Sequence, residues 1–177
     1  MPRFALLVPA LLLAGCVQNN ARGGPGRLPP PDITQSQPQS IGAQGVPQLP
    51  GFSAAVKIGN TVYLSGQVPL DSNGVLVGKG DLAAQAAQTF ANLARVVRTA
   101  RGVPPDLVKV TVYVVGYDTS AAGIVRKALE PYTEPGVPPA LTMVGVASLP
   151  EAGMLIAADG VAVLRGLLPD KMRDRGR

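Results

Sequence analysis

A chain of 177 residues, 46% hydrophobic and 15% charged, can bury one core and has room for a segment or two outside it. It contains no histidine, no tryptophan and a single cysteine, which excludes a His-ligated metal site, a His-based catalytic triad and an intrachain disulfide. The net charge of +5 does not mark a nucleic-acid face, because Lys171, Arg173, Arg175 and Arg177 crowd the C-terminal stretch and leave a nearly balanced body.

The first element is a short cationic start, Met1-Pro2-Arg3, followed by an apolar run from Phe4 to Leu13. That run is far below the ~20 residues needed to span a bilayer as a helix, and it suits the core of a secretion signal. It ends in Leu13-Ala14-Gly15-Cys16, where two small residues precede the lone thiol. This string resembles the lipobox of bacterial lipoproteins. The resemblance implies a signal peptide over 1–15, removal before Cys16, and lipid acylation of Cys16 through a thioether and its new amine. Val17, where an aspartate would hold the protein back, resembles lipoproteins sorted to the outer membrane. The expected location is the bacterial cell envelope, lipid-anchored and facing the periplasm.

Residues 16–50 then run through a Pro, Gln, Gly and Ser-rich stretch with Pro29-Pro30-Pro31 in its middle and no apolar periodicity. Such a stretch cannot bury enough surface to fold and reads as a tether with an end-to-end reach of roughly 30 Å. The folded domain is expected over 51–166, followed by a basic tail at 167–177.

Within the domain, Ser53–Ile58 and Thr61–Ser65 read as strands joined by Gly59-Asn60, the residues of a tight hairpin turn. Asp71-Ser72-Asn73-Gly74 is a further turn, and Asp81 is an N-cap for the helix after it. That helix carries Leu82, Ala86, Phe90, Leu93, Val97 and Ala100 on one face, and Gly102 is expected to close it. From Leu107 to Val115 the chain alternates, with Val108, Val110, Val112 and Val114 facing one way and Lys109, Thr111 and Tyr113 the other. A second helix is expected over about Thr119–Glu130, stopping before Pro131. Strands over about Leu141–Ala147 and Met154–Leu164 complete a β-β-α-β-α-β-β order. Both helices must then pack on one face of a single mixed sheet, an α+β arrangement. The opposite face is too apolar to be left bare and too polar for a core, which suggests a subunit interface.

Several strings in this order carry a family resemblance: Gly59-Asn60, Ser65-Gly66-Gln67-Val68-Pro69, Gln85 with Asn92, Pro138-Pro139-Ala140 and Leu149-Pro150. Together they resemble the RidA/YjgF family of reactive-intermediate deaminases over about Phe52 to Arg165. The resemblance implies a chorismate-mutase-like fold assembled as a homotrimeric barrel with small-molecule pockets between subunits. It also implies hydrolysis of 2-aminoacrylate and related 2-imino acids to 2-keto acids and ammonia, with no cofactor. In that chemistry an arginine after the Pro-Ala pair clamps the substrate carboxylate, a glutamate on the last strand positions the attacking water, and a tyrosine near the domain start closes the pocket.

This chain departs from the pattern at each of those side chains. Leu141 stands at the arginine position, Asp159 at the glutamate, Phe52 at the tyrosine and Ile124 at a frequent asparagine. Two charge-assisted hydrogen bonds of roughly 1.5–3 kcal/mol each are lost with the arginine, about a hundredfold or more in affinity for a carboxylate. The resemblance therefore implies a ligand pocket of Phe52, Ser65, Gly66, Ile124, Ala140, Leu141 and Thr142, with Asp159 as the candidate catalytic residue. Three functions follow as expectations: a Rid-fold trimer binding an unidentified neutral or apolar molecule without deamination, a surviving imine deaminase or related hydrolase using Asp159, or an envelope interaction module. Family members have also been described as ribonucleases. With 4% aromatics there is no evident stacking platform, so no nucleic-acid partner is expected.

Overall fold

The computed structural model describes residues 37–48 and 50–165. The expectations for the signal peptide, Cys16, most of the tether and the basic tail lie outside the described residues. Strands β1 (Gln39–Ile41), β2 (Ala55–Ile58) and β3 (Thr61–Gln67) precede helix α1 (Leu82–Thr99). Then come β4 (Leu107–Val115), α2 (Thr119–Leu129), β5 (Ala140–Val146) and β6 (Ile156–Val163). They form one six-stranded sheet in the order β1-β2-β3-β6-β4-β5, in which only β4 and β5 run parallel.

β1 corrects the expected tether boundary. Its three residues pair with β2, and just after it Ala43 and Val46 are buried to 6% and 7% exposure in the core. Arg95 Nη1 holds the same segment by donating to Gly45 O at 2.7 Å. A three-residue edge strand shows no periodicity of its own; its order comes from the neighbour it pairs with.

Local chemistry explains the remaining elements. Gly59 at φ 59° supplies the positive φ at the first central position of the β2–β3 turn, as a type II′ hairpin requires. Asp81 Oδ1 accepts from Ala83 N at 2.9 Å and Ala84 N at 3.1 Å, a cap worth about 1 kcal/mol. At the other end of α1 the left-handed residue is Arg101, at φ 69°, while Gly102 N donates to Val97 O at 2.9 Å. Gly102 is needed for space instead. A Cβ there would lie 2.6 Å from Leu164 Cδ2 and 2.9 Å from Val97 Cγ1.

Both helices cover one face of the sheet. Phe90, Leu93 and Val97 of α1 and Ala121 and Val125 of α2 share a core with Val62, Val110, Val112, Val114, Ile156 and Ala158. Each fully buried Val, Leu or Phe contributes about 1.5–3 kcal/mol. Val108 does not join them, contrary to the simple alternation. The β4–β6 register shifts between Leu107 and Lys109, so Leu107 takes the inward place at 4% exposure and Val108 is 45% exposed. Gln85 and Asn92 fix loops, as expected from their place on α1. Gln85 bonds Gly78 O, Gly153 O and Leu155 N, and Asn92 bonds Val68 O and Leu70 O.

Candidate functional site

The sheet face opposite the helices carries the polar residues predicted for the site. Strand alternation and register place Thr142, Thr111 and Asp159 abreast on β5, β4 and β6, pointing to that open face. Ala140, Lys109 and Val161 form the next rung of the same face. On the other side of Asp159 lies a bulge in β3. Leu64 pairs with Gly160 and Gln67 with Ala158, so Ser65 and Gly66 together stand opposite the single residue Asp159. Such bulges re-aim side chains at functional sites.

Ser65 is committed to structure. Its Oγ donates to Ala54 O at 3.0 Å and accepts from Gln67 Nε2 at 3.2 Å, and neither partner is a base that could make it a nucleophile. Asp159 has a partner that sequence reasoning did not assign. Tyr113 Oη donates to Asp159 Oδ2 at 2.8 Å across the β4–β6 pair. This bond to the carboxylate, followed by desolvation and the negative charge, raises the Tyr113 hydroxyl above its ordinary value, so it stays a neutral donor. The ion pairs among the described residues are those of Arg165 with Asp106 and Glu134, and neither involves Asp159.

The other predicted residues lie elsewhere in the chain. Leu141 pairs with Val110, and Val110 with Gly160, which turns Leu141 to the helix side of the sheet at its outer edge. It is 38% exposed there because β5 is the edge strand of the sheet among the described residues. Ile124 is half-buried on α2, and Phe52 is 73% exposed ahead of β2. Thus Asp159, Ser65, Gly66, Ala140 and Thr142 belong to one surface, and Leu141 faces away from it. A concavity of about 280 Å³ bordered by Pro105, Val108, Val137, Pro139 and Arg165 contains none of the predicted site residues.

The sequence and fold both have close counterparts. A model of the endoribonuclease L-PSP family matches residues 45–164. A protein of the mite Dermatophagoides farinae named 2-iminobutanoate/2-iminopropanoate deaminase is 35% identical over 119 residues, covering 67% of this chain and 84% of the mite protein. The crystal structure of RidA from an Antarctic Psychrobacter superposes with a TM-score of 0.63 at 31% identity, covering 71% of this chain and 99% of that one. The YjgF gene product of E. coli gives a TM-score of 0.61 at 30% identity, covering 71% and 98%. With the helix-covered sheet, the bulged Ser65-Gly66 strand and an acid at 159, these matches make the chain a member of the RidA/YjgF (endoribonuclease L-PSP) family.

Proposed function

We propose that this protein is a membrane-tethered Rid-family trimer whose small-molecule pocket lies between copies, and that it does not deaminate 2-aminoacrylate. The observation that carries this reading is Leu141. A carboxylate substrate needs a cation, and this position offers an apolar side chain that adds a desolvation cost instead. The opposed orientations of Leu141 and Asp159 support a site made from two copies. One sheet cannot present both side chains to the same ligand, whereas the outer edge of one copy set against the open face of another can. An acylated Cys16 would hold the domain outside the cytoplasm, away from the pyridoxal-phosphate enzymes expected to release 2-aminoacrylate.

The test is ammonia release from enzymatically generated 2-iminopropanoate. The expected result is no turnover above the uncatalysed rate for the wild type. Robust turnover that disappears in Asp159→Ala would overturn the reading and establish the alternative, an imine deaminase or related hydrolase that uses Asp159. That alternative is favoured by the name of the mite relative. Detergent phase partition tests the anchor: the wild type should enter the detergent phase and Cys16→Ala the aqueous phase. Equal partition of the two would remove the tether from the account.

A further inference from the structure

On the open face Asp159 has a tyrosine on each of its two flanking strands. Tyr113 pairs with Ala157 and Tyr63 with Val161, so each tyrosine lies diagonally next to Asp159, one from either flanking strand. Tyr113 holds Oδ2 through its hydroxyl, while Tyr63 is 51% exposed. A carboxylate accepts about four hydrogen bonds, and Tyr113 fills one of them. By register the other charged strand residue on this face is Lys109, which is exposed and makes no ion pair with Asp159.

We propose that Asp159, flanked by Tyr113 and Tyr63, is a binding site for a small organic ammonium ion. Three features lead to this ligand class. Among the described residues the carboxylate makes no ion pair, so it favours a cation over the carboxylates that family deaminases take. The Tyr113 bond fixes its Oδ2, which points the remaining acceptor positions in a defined direction. Tyr63, half exposed on the other flanking strand, supplies an uncharged aromatic ring of the kind that attracts cations. Thr111, abreast of Asp159, and Ala157 are its small neighbours on the same face. The inference rests on the reading above in one respect, that the open face lines a pocket between copies.

Tyrosine emission provides the readout, since the chain has no tryptophan to mask it. The purified protein is titrated with n-propylammonium, propionamide and propionate, three probes of equal length and different charge. Propylammonium should bind at least about tenfold tighter than propionate, the scale of one charge-assisted hydrogen bond. Asp159→Asn should abolish that preference, and Tyr113→Phe should reduce it. Lys109→Met, at an exposed position, should strengthen ammonium binding by removing a competing cation. Equal or tighter binding of propionate, or an undiminished preference in Asp159→Asn, would overturn the proposal. So would loss of the preference in Lys109→Met, which covers the case of a misfolded Asp159 variant. Light scattering on the same samples separates the two readings. A monomer that keeps the ammonium preference refutes the assembly alone, and a trimer without it refutes the ammonium site alone.

Discussion

Leu141 and Asp159 lie on strands that flank β4 from opposite sides, and their side chains leave the sheet in opposite directions. Neighbouring strands are about 4.8 Å apart, so the two positions are separated by roughly 10 Å as well as by the thickness of the sheet. A substitution at Leu141 therefore changes an edge, while the acid on the open face keeps its own environment. The two halves of the proposed site can be varied independently.

The acid half is tested by Tyr113→Phe. It removes one hydrogen bond to a half-buried carboxylate and should cost about 1 kcal/mol in urea unfolding at neutral pH. The sign of its pH dependence follows from the raised Tyr113 value. Folding binds this proton more tightly than the unfolded chain does, so the wild-type advantage is full below about pH 10 and fades as pH rises through the folded value. An advantage that grew with alkaline pH would contradict the bond.

Arg101 and Gly102 divide between them what one glycine does at many helix ends. Arg101→Gly should stabilise by roughly 0.5–1 kcal/mol, because the left-handed conformation at φ 69° costs an L-residue more than glycine. Gly102→Ala should destabilise by about 1–3 kcal/mol, since its Cβ would lie 2.6 Å from Leu164 Cδ2. Thermal melts of the pair should move in opposite directions.

Asp106 is 4% exposed and accepts from Val103 N at 2.9 Å and Arg165 Nε at 3.1 Å. Asp106→Ala removes both bonds of a buried carboxylate whose partners, Val103 and Arg165, are themselves largely exposed, a loss of about 1–2 kcal/mol. Arg165 also bonds Glu134 and Pro105 O, so the C-terminal end of the domain should lose amide-exchange protection near Leu164 before β6 does. Unchanged protection there would show that the Asp106 contact does not hold this end.

Much of the fold was legible because its signals are local. The alternation in β4, the stripe on α1, the Asp81 cap and the Gly59-Asn60 turn each depend on residues close in sequence. The departures arise where geometry is set by distant partners. β1 is ordered by pairing with β2, and Val108 leaves the core because β6 imposes a register shift that Leu107 answers. The same reason hid the Tyr113–Asp159 bond, which joins residues 46 positions apart. Asp159 itself was found through the family pattern. Its separation from Leu141 by the sheet needed the β5–β4–β6 register, which no string of residues contains.

The most direct test of the central claim is ammonia release from 2-iminopropanoate, compared between the wild type and Leu141→Arg under identical conditions. Placing a cation there should raise turnover from background by about a hundredfold, the scale of two charge-assisted bonds to the substrate carboxylate. A wild type already as active as the arginine variant would contradict the account and return this chain to the deaminases.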